Sequence, residues 1–323
     1  MARLEVVPFS DEHLDDAARL LAARHARDRR VEPLLPERYE APAEAREELE
    51  RDWCSDGASG AAALRGGRLV GYLIGAPRGS EIWGENVWVE LAGLAVEEEP
   101  EEVRDLFALA AALWVEQGRT RHYVLVPTAD PALVDAWFRL GFGQQQAHGI
   151  REVPARAEQA ATTGLEIRRP VVDEIDSFAE LDLALPRHQR SSPVFSGRPL
   201  PTEEEIREEW LDTLSKDEED VLVAFRDGKP LAVWSVYVGG PTSHFHGMAW
   251  PDRASYLAYA STLPEARGSG IGVALTEASL ARAAGRGEAA MVTDWRVTNL
   301  LASRFWPNRG FRPFFLRLYR SIP

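Results

Sequence analysis

The chain has 323 residues, of which 45% are hydrophobic and 27% charged. That balance excludes a mainly disordered chain or a small stapled scaffold, and the length suggests two domains. Asp and Glu outnumber Lys and Arg by 51 to 37, a net charge of −14, so nucleic acid is not the expected partner. Residues 251–323 depart from this, with ten Arg against five acidic residues, and are the place to seek an anionic ligand.

In chain order, Leu4 to Pro8 reads as a strand leading into a helical pattern over 11–27. An acidic amphipathic helix follows at 43–53, then a hairpin turning at Gly66-Gly67. The apolar run Leu106 to Val115 is ten residues long, too short to span a bilayer, and fits a buried helix. A strand, a short helix and the pair Gly141-Phe142 close this half. Residues 154–164 are small and polar without apolar periodicity, which predicts a linker.

The same order then recurs. Leu165 to Pro170 leads into a helix at 173–185, and Thr202 with Glu205 forms a capping box for a helix at 202–214. A hairpin turns at Asp227-Gly228, and Gly310-Phe311 ends the half. Both halves read β-α-α-β-β-β-α-β-α-β, a tandem duplication. The expected domains are therefore 1–153 and 165–323, joined by 154–164.

The N-terminal residues MARLEVVPFSDEH carry no apolar signal core, and Cys54 is the sole cysteine. There is thus no disulfide framework and no cysteine metal site, and a cytoplasmic protein without a membrane partner is expected.

One motif carries chemistry. An apolar strand runs to Thr262, Pro264 stops it, and Arg267-Gly268-Ser269-Gly270-Ile271-Gly272 opens a helix. A helix N-terminus has unpaired N–H groups and partial positive charge, and glycines let a bulky anion approach. Its natural ligand is a pyrophosphate. The dinucleotide fingerprint fits in neither register, because its third glycine falls on Val273 or on Leu275, and no Walker lysine follows.

These residues resemble the acetyl-CoA signature of the GNAT acetyltransferase superfamily, Gln/Arg-x-x-Gly-x-Gly/Ala after a strand, with Arg267, Gly270 and Gly272 in its places. That family also shows a later strand, an Asn and a helix ending in Tyr-x-x-x-Gly-Phe. Here DWRVTNLLASRFWPNRGF supplies Asn299, Ala302 and Gly310-Phe311. The resemblance implies an α/β (α+β) fold of two tandem domains, each a mixed, mostly antiparallel sheet of six to seven strands flanked by helices. It also implies that the backbone of Gly268, Ser269, Gly270, Ile271, Gly272 and Val273 holds the pyrophosphate of acetyl-CoA. Ala260, Ser261 and Thr262 would pair with the pantetheine arm, and Asn299 and Ser303 would reach its amides. Asn299 is equally a helix N-cap by residue type.

The first half departs from this pattern. Aligning Val96 with Thr262 puts Glu101, Arg104 and Leu106 at the signature positions, and Glu97, Glu98, Glu99 and Glu102 crowd the same loop. Like charges about 4 Å apart near a protein surface repel by roughly 4 kcal/mol, so this half is expected not to bind the coenzyme.

The family reaction is direct attack of an amine on the thioester carbonyl, with both substrates bound. The family's usual base position falls on Tyr256. His244 and His246, at i and i+2 in an extended segment, would share one face, and His246 is a second candidate. Asp294, after the strand Ala289 to Thr293, is a third. Trp306 stands where the family has a Tyr acid, and indole donates no useful acidic proton. The expected protein is an N-acetyltransferase acting on a primary amine of a small molecule, a monomer or homodimer with no metal. A non-catalytic CoA-binding module and a peptide N-acetyltransferase are the alternatives.

Overall fold

The structure, a computed structural model, describes residues 3–155, 164–196 and 199–323. Most of the expected linker, residues 156–163, lies outside the described residues. The elements of the first half are β1 (Leu4–Pro8), α1 (Leu14–Val31), α2 (Pro42–Trp53), β2 (Ser59–Arg65), β3 (Arg68–Gly75), α3 (Ser80–Trp83), β4 (Asn86–Val89), β5 (Leu94–Val96), α4 (Glu102–Glu116), β6 (Arg121–Pro127), α5 (Pro131–Arg139) and β7 (Gly143–Glu152). The second half has β8 (Glu166–Arg168), α6 (Ala179–Arg190), α7 (Glu203–Ser215), β9 (Glu219–Arg226), β10 (Lys229–Tyr237), β11 (Ala254–Thr262), α8 (Ile271–Gly285), β12 (Ala290–Arg296), α9 (Leu300–Asn308) and β13 (Arg312–Ser321).

Local chemistry explains most of these boundaries. Gly66 and Gly67 both have positive φ (61° and 79°), as do Asp227 and Gly228 (51° and 74°). Paired left-handed residues are what a two-residue hairpin turn demands. Thr202 Oγ1 accepts from Glu205 N at 3.2 Å while Glu205 Oε2 accepts from Thr202 N at 2.7 Å, so the capping box forms as written.

The chain makes two compact units, and they are not the two sides of one cut. The first comprises Met1–Ala147, His246–Pro251 and Pro313–Pro323; the second comprises His148–Phe245 and Asp252–Arg312. The C-terminal strand thus completes the first unit, where β13 pairs antiparallel with β6 from Phe315↔Pro127 to Ser321↔Arg121. In return the latter half of β7 serves the second unit, where Val153 N donates to Ala289 O at 3.0 Å.

Within the first unit, β1, β2, β3 and β5 form an antiparallel sheet. A 3-10 turn at Leu91–Gly93 breaks what the sequence presents as one strand into β4 and β5. β4 turns away to pair parallel with β6. The core of this unit gathers Phe9, Leu21, Leu49, Tyr72 and Ile74 with Met248 from the His246–Pro251 segment. In the second unit β8, β9, β10 and β11 run antiparallel in that order, and β12 joins β11 in parallel. Its core packs Ile175, Phe178, Trp210, Val223 and Phe225 between the helices and the sheet.

Pro186 lies inside α6 and has no N–H to give the carbonyl four residues back, that of Asp182. The Tyr259 hydroxyl donates to that carbonyl at 3.0 Å, and Ser261 Oγ donates to Leu181 O at 2.7 Å. Two side chains of β11 therefore hold α6 at its interruption. The Asp182 side chain accepts from Trp210 Nε1, and burial lifts its carboxyl from 3.8 to about 6. Between those values the folded chain keeps a proton that the unfolded chain releases, so stability falls as pH rises from about 4 to about 6 and the loss is complete above. Asp182→Asn keeps an acceptor for Trp210 and removes the charge. It is expected to stabilise the protein at pH 8 by up to about 3 kcal/mol. In urea unfolding that gain should shrink steadily as the buffer is taken from pH 6 to 4; a gain independent of pH would contradict the assignment.

Candidate functional site

The site lies in the second unit, where β11 and β12 part. They pair only from Ala254↔Ala290 to Leu257↔Thr293. On the other side, the register between β10 and β11 shifts so that Ser235 faces Tyr259 and Val236 faces Leu257. Ala258 is the extra residue of this bulge and is exposed. Bulges bend a strand and end its pairing. Beyond Leu257, the side of β11 that faced β12 is therefore free of it through Ala258 to Thr262, the segment holding Ala260, Ser261 and Thr262.

At the end of that edge the chain enters α8. Gly268 and Gly270 have φ of +74° and +84°, and Gly270 is the N-cap with no side-chain hydrogen bond to the helix. Ser269 caps nothing, because its Oγ donates to Ala266 O at 2.6 Å. The N–H groups of Ile271, Gly272 and Val273 precede the first intrahelical bond, Ala274 N to Gly270 O at 3.1 Å. The mouth of α8 thus offers amide donors and the positive end of a dipole. A Cβ at Gly270 meets nothing within 4 Å, whereas one at Gly272 lies 3.2 Å from the Phe305 ring. Gly270 is needed for its backbone angle, and Gly272 for the packing of α8 on α9. Arg267 is exposed, its Nε donating to Thr262 O at 3.3 Å.

Asn299 is the N-cap of α9, its Oδ1 accepting from Leu301 N and Ala302 N at 3.2 Å each. His188 Nε2 lies 3.1 Å from the same oxygen. Ser303 Oγ donates to Val297 O at 2.7 Å. Trp306 is buried among Phe305, Phe311 and Trp234 and serves packing.

Two of the candidate proton carriers meet. The Tyr256 hydroxyl donates to Asp294 Oδ1 at 2.6 Å. His246 belongs to the first unit, as N-cap of the 3-10 turn Gly247–Ala249. The expected shared face of His244 and His246 does not form. Thr242 Oγ1 accepts from both His244 N and Phe245 N at 3.2 Å, closing a turn where extended backbone was expected. His244 instead stacks on Tyr256, with ring centroids 6.1 Å apart. Phe245 packs on the same ring at 4.9 Å and on His148 at 5.1 Å.

The matching region of the first unit is built differently. Its β5–α4 loop carries Glu97 in a two-bond ion pair with Arg68 at 2.6 Å and Glu101 bound by Arg104 and Arg139, and Glu102, the first residue of α4, is bound by Arg65. At the break between β4 and β5, the buried Arg24 of α1 donates to the carbonyls of Leu91, at 2.6 Å, and Leu94. Arg24 also pairs with Asp28 at 3.3 Å and reaches Met248 Sδ at 4.0 Å. Nothing in the sequence around Arg24 or His188 signals these contacts, which join residues 67 and 111 positions apart.

Among the described residues no His, Cys, Asp or Glu cluster could hold a metal ion, and no helix is long and apolar enough to cross a membrane.

Residues 185–311 match the acetyltransferase (GNAT) family model. The whole chain has the fold of tandem GNAT proteins. It is similar to a GCN5-related N-acetyltransferase from Sphaerobacter thermophilus, with 14% identity, a TM-score of 0.59, and 98% of this chain and 95% of that one covered. A tandem GNAT protein from the clavulanic acid biosynthesis pathway is 17% identical, with a TM-score of 0.50 over 99% of this chain and 98% of its own. The glucosamine N-acetyltransferase region of a fungal multidomain GH3 beta-N-acetylglucosaminidase is 16% identical, with a TM-score of 0.55, covering 99% of this chain and 38% of that one. Comparison with curated protein sequences gives no significant match.

Proposed function

We propose that the second unit transfers an acetyl group from acetyl-CoA to a primary amine of a small molecule, in a ternary complex. The observation that carries this reading is the uncapped mouth of α8, opened by left-handed Gly268 and Gly270, at the end of a strand edge that β12 has left. The amides of Ile271, Gly272 and Val273 receive the pyrophosphate, and Ala260 to Thr262 offer backbone partners to the pantetheine arm. Asn299 has committed its oxygen and Ser303 its hydrogen, so Asn299 serves as an Nδ2 donor and Ser303 as an acceptor.

Asp294 binds the incoming amine. Its Oδ1 is held by Tyr256, and Oδ2 has no hydrogen bond among the described residues. A carboxylate there attracts and orients a cationic amine; once the ammonium has lost one proton to solvent, the neutral amine attacks the thioester carbonyl, and Asp294 takes the second proton as the C–N bond forms and the C–S bond breaks. Positioning the two reactants in one site supplies much of the barrier reduction. The thiolate leaves without a side-chain acid at Trp306, as a thiol of pKa about 8.5 can.

Asp294→Asn preserves the bond from Tyr256 and removes the proton acceptor. It is expected to lower kcat by about 10²-fold or more while acetyl-CoA binds as before. The test is thiol release from acetyl-CoA with a panel of small amines and peptides. Release with small amines supports the reading. Tight coenzyme binding without release on any amine shows a non-catalytic module, and release with peptides alone shows a peptide acetyltransferase.

The first unit is read as holding no coenzyme. Although arginines offset the charge of Glu97, Glu101 and Glu102, Glu101, Arg104 and Leu106 stand where the second unit has Arg267, Gly270 and Gly272, and the carbonyls at the strand break are already occupied by Arg24.

A further inference from the structure

We propose that His188, in the last turn of α6, is a positioning residue for the coenzyme arm, acting through Asn299. Two backbone N–H groups, those of Leu301 and Ala302, point at the capping atom of Asn299 and identify it as the carbonyl oxygen. His188 Nε2, 3.1 Å from that oxygen, must then carry a hydrogen and donate it. Asn299 is buried, so its amide plane is set by these three donors together, and Nδ2 is the group left over. Nδ2 makes no hydrogen bond among the described residues. The helix that carries His188 is itself tied to β11 by Tyr259 and Ser261, two side chains of the segment whose open edge would take the pantetheine. One helix therefore fixes both the strand edge and the amide donor. This proposal rests on the coenzyme reading above.

The test uses the full chain and acetyl-CoA. His188→Ala is expected to raise the Kd and KM for acetyl-CoA about 2- to 10-fold, the range for one lost hydrogen bond, with kcat within twofold. His188→Gln, whose side-chain amide can donate to the same oxygen, should restore both within twofold. In an Asn299→Ala background, His188→Ala should add no further loss, because the two act as one unit. Three results overturn the proposal: no change in His188→Ala, no rescue by Gln, or a His188→Ala loss that persists undiminished when Asn299 is already Ala. Failure of the wild-type chain to bind acetyl-CoA overturns the coenzyme reading and this proposal together. Binding by the wild type with an unaffected His188→Ala overturns this proposal alone.

Discussion

Gly270→Glu is expected to abolish acetyl-CoA binding while the protein stays folded. At φ +84° a side chain costs roughly 1–2 kcal/mol in backbone strain, and a Cβ there meets nothing within 4 Å. That strain alone is small against the stability of a domain, about 5–15 kcal/mol. The effect on the ligand is much larger. A carboxylate at the N-cap takes the amides of α8 for itself, as Asp does at ordinary helix starts, and repels a pyrophosphate carrying the same sign of charge. Together these should weaken binding by more than about 100-fold, since each 1.4 kcal/mol is a factor of ten. Arg104→Gly at the matching position of the first unit should change nothing in coenzyme binding. Circular dichroism and a thermal melt verify the fold, and calorimetry reads the affinity. Retained affinity in Gly270→Glu places the anion elsewhere.

The second large effect concerns the C-terminal strand. Leu318 is fully buried and pairs with Val124 in the first unit, and its neighbour Arg317 is buried too. Arg317 is satisfied by Gln145 at 2.8 Å and by Gln146, and it lies against the Trp83 and Trp88 rings. Leu318→Asp puts an unpaired carboxylate into this layer, at a cost of more than about 4 kcal/mol. The first unit should unfold or become marginal. Limited proteolysis should then cut within residues 1–147, more than 170 positions away in sequence, while 165–312 resists. Cuts confined to 165–312 would mean that the last strand serves its own half.

Local signals account for what was legible in the sequence. Gly66-Gly67 and Asp227-Gly228 have the backbone angles their turns require, Thr202 and Glu205 cap each other, and Gly268 and Gly270 are left-handed. Tyr256 and Asp294, 38 positions apart in sequence, lie in hydrogen-bond contact because the strands that carry them are parallel neighbours. What was hidden is long-range. β7 and β13 each follow a short helix and a Gly-Phe pair, and each is ten residues long, so no pattern says which unit each strand completes. Leu91–Gly93 are as apolar as the strands beside them, and only tertiary pairing shows that β4 and β5 part there. His244 and His246 keep their alternate spacing in sequence, but the Thr242 hydroxyl turns the chain between them.

On the proposed reading, a single helix mouth, with its glycine-shaped approach, grips the diphosphate of a thioester carrier. Titrating the intact chain with acetyl-CoA in a calorimeter tests it most directly. One molecule bound per chain in the wild type, and none in Gly270→Glu, is the expected result. Two molecules per chain would show that the first unit also binds, and no heat of binding at all would contradict a coenzyme site on this chain.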